Sequence, residues 1–203
     1  MIRIEHLSKV FRTEEVETTA LNDVSLHVKQ GEFVAIIGQS GSGKSTFMNM
    51  LGCLDVPTSG HYFLNGKDVS SLSDDELSEI RNQEIGFIFQ GFNLIQNLTA
   101  LENVELPLIY RNVPAAERRR LSEESLKRVG LEKRMDHKPT EMSGGQQQRV
   151  AIARALAAAP PLILADEPTG NLDSKSSREI MDILRKLHTE GRTVILITHD
   201  DKI

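Results

Sequence analysis

The octapeptide Gly38-Gln39-Ser40-Gly41-Ser42-Gly43-Lys44-Ser45 constrains this chain more than any other stretch. It follows the continuous apolar run Phe33 to Ile37, which reads as a buried parallel strand, and precedes a helix expected to reach about Leu54. A strand that enters a glycine-rich turn and leaves it as a helix is the context a phosphate-binding loop, the Walker A pattern, requires. Its glycines let backbone N–H groups close around β- and γ-phosphates. Lys44 adds a mobile point charge, the Ser45 hydroxyl is placed to ligate Mg²⁺, and Thr46 follows at the start of the helix. A Gly/Ser-rich turn without a ligand is the alternative; strand, lysine and hydroxyl together weigh against it.

Composition sets the outer bounds. A chain of 203 residues can bury one good core, or one domain with a subdomain. Charged residues at 26% and hydrophobic residues at 39% are globular values. A net charge of −5 argues against a nucleic-acid surface, which needs a clustered basic field. The single cysteine, Cys53, excludes a disulfide framework and a cysteine metal cluster, and is expected as a small buried side chain behind the loop. No apolar run approaches the ~20 residues of a membrane span, and Met-Ile-Arg-Ile-Glu is no signal peptide, so a soluble, cytosolic chain is expected.

The remaining pattern alternates strands with helices. Ile2 to Leu7 and Val24 to Val28 alternate apolar and polar residues like half-exposed antiparallel strands, and Tyr62 to Leu64 with the Asn65-Gly66 turn predicts a hairpin. Ile85 to Phe89, Leu162 to Ala165 and Val194 to Ile197 read as strands. Leu101 to Tyr110, Ala115 to Val129, Gln146 to Ala158 and about Ser174 to His188 read as helices. Helices crowd between Asp74 and Ala158, which predicts a mainly helical subdomain inserted into an α/β core. The run Arg118-Arg119-Arg120 beside Glu117, Glu123 and Glu124 reads as a solvated helix face.

A second glycine-rich turn lies about a hundred residues beyond the first, in Met142-Ser143-Gly144-Gly145-Gln146. Two adjacent glycines after a serine, opening a helix, predict a backbone-amide nest that suits an anion. An ordinary serine N-cap with flexible glycines is the alternative. The apolar strand ending in Asp166 fits a Walker B element, with that carboxylate near Mg²⁺ through water; Glu167, just outside the strand, is placed to polarise an attacking water. A helix-capping turn is the alternative for this carboxylate pair.

In this order, the motifs resemble those of the ATP-binding cassette (ABC) ATPases over essentially the whole chain. Ser143 to Gln146 resembles the family signature, with Met142 where Leu is usual, and Pro168-Thr169-Gly170-Asn171-Leu172-Asp173 resembles its D-loop. The resemblance implies a P-loop NTPase core: a mostly parallel sheet flanked by helices, an N-terminal antiparallel β subdomain, and an inserted α-helical subdomain. Residues 1–90 and 159–203 would form the core and about 91–158 the helical part. Gln90 matches the Q-loop glutamine, a Mg²⁺ and water contact that moves with the helical subdomain; a surface role is the alternative. His199 matches the switch histidine that reaches the γ-phosphate. Phe11 stands where the family stacks a ring on adenine, with plain core as the alternative, and Asp173 completes the nucleotide set. Two copies are expected to pair head to tail, Ser143-Gly144-Gly145-Gln146 of one capping the γ-phosphate held by Lys44 of the other.

Phe89-Gln90-Gly91-Phe92-Asn93-Leu94-Ile95, Leu98 to Val104 and Pro168 to Asp173 look like the MacB/LolD-type branch. That implies an integral membrane permease partner (MacB/LolC-E/FtsX-like), a place on the cytoplasmic face of the cell membrane, and ATP-driven export or envelope extraction of a peptide, lipoprotein or macrolide-like substrate. A cell-division-type cassette that signals through its membrane partner is the alternative. Residues 91–142, between Gln90 and the signature, are too few for the long coiled coil of a DNA-repair cassette, and one cassette does not make a tandem translation factor. Phe92 to Leu108 is a candidate dock for the permease's coupling helix, with ordinary subdomain core as the alternative. Family members continue further beyond the switch histidine than Ile203, so the C-terminal end is expected to be truncated.

Overall fold

The computed structural model describes residues 1–13 and 15–199. The segment 200–203, on which the expectation of a truncated end rests, lies outside the described residues. Two four-stranded sheets organise the described residues. The parallel sheet has the order β3 (Phe33–Ile37), β8 (Thr193–Thr198), β7 (Leu162–Asp166), β6 (Ile85–Phe89). All six residues of β8 and the first four of β7 are buried, as continuous apolar strands covered on both faces must be. β3 is parallel as expected but not buried. It pairs with β8 alone, its other edge has no strand among the described residues, and Ile37 is 52% exposed.

The antiparallel sheet has the order β2 (Glu17–Val28), β1 (Ile2–Arg12), β4 (Ser59–Leu64), β5 (Lys67–Asp68). β1 and β2 are longer than alternation suggests. Register shifts after Ile4, Leu7 and Lys9, with His6 at φ 51° and Asp23 at φ 54°, break the two-residue period while pairing continues to Phe11↔Thr18 and Arg12↔Glu17. The hairpin at Asn65-Gly66 forms as expected, both residues at positive φ.

Among the described residues, six α-helices fill the rest. α1 (Lys44–Leu51) stops short of Leu54 because Gly52 caps it and Cys53 turns the chain at φ 53°. Cys53 is buried in the core beneath the loop, and burial pushes its thiol pKa up to about 11. α2 (Asp74–Glu84) buries only Leu77, so it has almost no apolar stripe. A Ser73/Glu76 capping box marks its start. α3 (Ala100–Tyr110) opens on a Thr99/Glu102 box, α4 (Ala115–Arg128) carries the solvated Arg/Glu face, and a 3₁₀ turn at Pro139–Glu141 leads into α5 (Gly144–Ala157). α6 (Ser174–Thr189) buries Ile180, Met181, Leu184 and Leu187, one stripe at helical spacing. α3, α4, α5 and α6 share one continuous core with one face of the parallel sheet, whereas α1 and α2 share the other with the antiparallel sheet.

Candidate active site

Strand register builds the site. Ile37 stands opposite Thr198, Ile197 opposite Asp166, and Asp166 opposite Phe89, so four strands end in one row. The next residues, Gly38, His199, Glu167 and Gln90, therefore emerge side by side at the carboxyl edge, where open α/β sheets bind ligands. A cavity of about 880 Å³ occupies that edge. It is lined by Gln39, Ser40, Gly41, Gly43, Lys44, Ser45 and Thr46 of the loop, by Gln90, Asp166, Glu167 and His199, and by Thr18, Thr19 and Ala20 of β2.

Two glycines shape the loop. Gly41 and Gly43 lie at φ 80° and 87°, and Gly43 caps α1 with no side-chain hydrogen bond. Among the described residues no N-cap side chain therefore competes with an anion for the first-turn N–H groups of α1. Gly43 is also required sterically, since a Cβ there would sit 2.5 Å from the Ala20 carbonyl oxygen. Lys44 Nζ donates to the carbonyls of Gly38 (2.6 Å) and Gln39 (2.7 Å). An ammonium has three N–H donors, so one remains for a ligand.

The carboxylates divide by environment. Asp166 is partly buried. Burial and the neighbouring Glu167 charge push its pKa up, while Lys44 pulls it back. Glu167 turns the chain out of β7 in a left-handed conformation, φ 45°, fixed by its N–H on the Ile197 carbonyl and by Gly170 N–H on its own carbonyl. His199 Nδ1 lies 2.8 Å from Glu167 Oε1, and the Thr198 hydroxyl donates to Oε2 at 3.4 Å. Gln90 Nε2 donates to Asn171 Oδ1 at 3.4 Å, and Asn171 Nδ2 returns a bond to the Gln90 carbonyl at 3.1 Å. Predicted as single residues, Glu167 with His199 and Gln90 with the Asn171 turn are joined pairs.

Other predicted residues lie elsewhere. Ser143, Gly144, Gly145 and Gln146 do not line the cavity. The Ser143 turn is a capped helix start, with the N-cap that the alternative reading named. Gly144 and Gly145 are not at positive φ, the Ser143 hydroxyl accepts from Gln146 N–H, and Gln146 Oε1 accepts from Ser143 N–H. Gly145 is needed for packing, since a Cβ there would meet Ser176 Oγ at 2.7 Å. Asp173 caps α6, accepting from Lys175 and Ser176, and is also off the cavity. Phe11 is 45% exposed with Lys9 Nζ 5.1 Å from its ring centre, which rules out the core alternative; it faces Thr18 across the ladder but does not line the cavity. In the stretch Phe92 to Leu108, Leu94, Leu101, Val104 and Leu108 are buried core, so that alternative holds for them.

Several residues escaped sequence reasoning. Thr18 to Ala20 line the cavity because β2 begins earlier than its alternation shows. Arg154 of α5 donates to the Phe92 and Asn93 carbonyls, holding two successive left-handed residues just beyond Gln90. Arg111 donates to carbonyls of Asn82, Gln83 and Ala158, the ends of α2 and α5. Both arginines line a groove of about 1220 Å³ between β6, α2, α3 and α5, with Leu54, Phe87, Leu106, Pro107 and the 78% exposed Tyr110. Nothing in their spacing marks either arginine, because each acts on carbonyls rather than on a patterned partner.

Known proteins resemble this chain in sequence and fold. A family model described as ABC transporter matches residues 21–170. An uncharacterized ABC transporter ATP-binding protein of Thermotoga maritima is 56% identical over 192 residues, 95% of this chain and 82% of that protein. The macrolide export ATP-binding/permease protein MacB of Vibrio parahaemolyticus is 52% identical over 200 residues, 98% of this chain but 31% of MacB, so the chain spans about a third of that relative's length. Among solved structures, the ATP-binding cassette MJ0796 of Methanocaldococcus jannaschii matches with a TM-score of 0.90 at 52% identity, covering 98% of this chain and 88% of that one. It is described as a dimer in a post-hydrolysis state bound to ADP and Pi.

Proposed function

The chain belongs to the ABC transporter family, and from that premise we propose that it is the ATP-hydrolysing subunit of a membrane exporter, working as two identical chains packed head to tail. One observation carries the reading. The phosphate loop, Gln90, Asp166, Glu167 and His199 share a single cavity, while the second anion-directed helix start, at Ser143, lies off it on the same chain. A partner copy brings that helix start to the γ-phosphate, completing a site each chain holds only in part.

The mechanism follows from the named groups. The free α1 amides and Lys44 hold the β- and γ-phosphates. Glu167 orients the attacking water and takes its proton as the P–O bond to ADP breaks, and His199 keeps the carboxylate turned inward. The Ser45 hydroxyl, Gln90 carboxamide and Asp166 carboxylate fit Mg²⁺, since a divalent cation would relieve the like-charge crowding at Asp166; bound there, it would supply positive charge to offset that of the phosphates. Phosphoryl transfer needs positioning and charge stabilisation rather than covalent chemistry, which these groups supply once the partner's helix start completes the site.

Among the described residues no helix is long and apolar enough to cross a membrane. We take the partner to be an integral membrane permease, as the name of MacB joins the two functions. A cytoplasmic segment of it would dock in the apolar groove beside Tyr110, placing the chain on the membrane's cytoplasmic face. Its cargo, by the same likeness, is a macrolide, peptide or lipoprotein-like molecule leaving the cell. Glu167→Gln tests the core of the reading. With Mg-ATP it should elute as a stable dimer on size exclusion and fail to turn over. A variant that stays monomeric at high protein concentration contradicts it.

A further inference from the structure

We infer that Gln148 is a positioning residue for ATP hydrolysis, tying the signature helix α5 to the chain segments that carry Gln90 and Glu167. The inference rests on the site assignment proposed above.

Gln148 lies one helical turn beyond Gly144 and is fully buried. Its Nε2 donates to two carbonyls on different elements: Phe89, the residue before Gln90, at 3.2 Å, and Pro168, the residue after Glu167, at 2.6 Å. Phe89 and Asp166 are register partners at the ends of β6 and β7, so one carboxamide bridges the two strand ends from which the glutamine and the base emerge. Two facing carbonyls fix which end of the amide is nitrogen. Its Oε1 has no partner among the described residues.

That orphaned oxygen separates this role from plain packing. A buried carboxamide with one end unsatisfied contributes little net to folding, since what its N–H bonds to the Phe89 and Pro168 carbonyls gain is offset by the unpaired oxygen. What the carboxamide provides is geometry. Around it the segments are close-packed: a Cβ at Gly170 would meet Gln90 Nε2 at 2.5 Å, and one at Gly86 would meet the Ala155 carbonyl at 2.7 Å. A shift of α5 therefore moves the Phe89 and Pro168 carbonyls with it. When the α5 start of one chain engages the partner's γ-phosphate, Gln148 transmits that engagement to Gln90 and Glu167 of its own chain.

The test is Gln148→Met in the full chain, which keeps the side chain's length and removes both donors. Gln147→Met is the control, because among the described residues the Gln147 carboxamide reaches only the Met142 carbonyl. Gln148→Met should lower kcat at least ~10-fold while KM for Mg-ATP and Kd for Mg-ATPγS stay within about threefold, with Gln147→Met near wild type. Full kcat in a folded Gln148→Met overturns the inference, as does a loss of nucleotide affinity that matches the loss of kcat. If Gln148→Met does not fold, Gln148→Glu, nearly identical in shape, carries the same expectation; failure of both to fold makes Gln148 a fold determinant and also overturns it. Glu167→Gln is run alongside. Wild-type turnover in Glu167→Gln fells the site assignment and the inference with it, whereas a dead Glu167→Gln beside a fully active Gln148→Met fells only the positioning role.

Discussion

The two glycine-rich helix starts, Gly38 to Ser45 and Ser143 to Gln146, look alike in sequence and are built on opposite principles. In the first, Gly41 and Gly43 take left-handed conformations, no side chain caps α1, and only Lys44, folded onto its own loop, supplies charge. The helix start is left open for a ligand. In the second, Ser143 and Gln146 satisfy each other's amides, the glycines keep ordinary helical φ, and Gly145 exists to let Ser176 approach. One turn stays incomplete until nucleotide arrives; the other is finished beforehand, a rigid surface for presentation to another molecule.

Substitutions can break that contrast. The largest effect is expected at Lys44→Ala, which should lower kcat/KM for ATP by ~100-fold or more and abolish the rise in melting temperature with Mg-ATP, read by thermal melts at saturating ligand. Gly43→Ala should destabilise by about 3 kcal/mol, near 10 °C in Tm, from the left-handed strain and the close Ala20 carbonyl together. Ser143→Ala should cost only the cap, about 1 kcal/mol or ~3 °C, and leave ATP binding by the isolated chain unchanged in calorimetry. Asp166→Asn should raise the nucleotide-free Tm by about 2 °C, because it removes a charge crowded by Glu167, while turnover is lost. Gly144→Ala, with ordinary φ and its nearest atom 3.4 Å away, should leave Tm unchanged or raise it ~1 °C. Equal losses at Gly43 and Gly144 would erase the distinction between the two turns.

Much of this was legible because local chemistry and fold agree. The strands at Phe33–Ile37 and Ile85–Phe89 begin and end where their apolar runs do, and the register of Ile37, Thr198, Asp166 and Phe89 then assembles the loop, Glu167, His199 and Gln90. What stayed hidden depends on geometry that no spacing encodes. The bulges in β1 and β2 disguised the strand that supplies Thr18 to Ala20. The left-handed turn at Glu167 that meets His199 is set by backbone bonds to Ile197 and Gly170. Gln148, the last of three glutamines in a row, is distinguished from its neighbours only by which carbonyls it reaches.

The claim beneath these contrasts is that the open turn of one chain works with the finished turn of another. Mixing two inactive variants tests it most directly. Glu167→Gln keeps a working signature turn but no base. Gly144→Glu keeps the loop and base, and places a carboxylate where the γ-phosphate must approach, at a helix start that tolerates the charge. Neither alone should turn over ATP. In a mixture, half of randomly formed dimers contain one intact site built across both chains, so activity should return to about a quarter of the wild-type rate per chain. A mixture as inactive as its components, under conditions where mixed dimers form, would contradict the account.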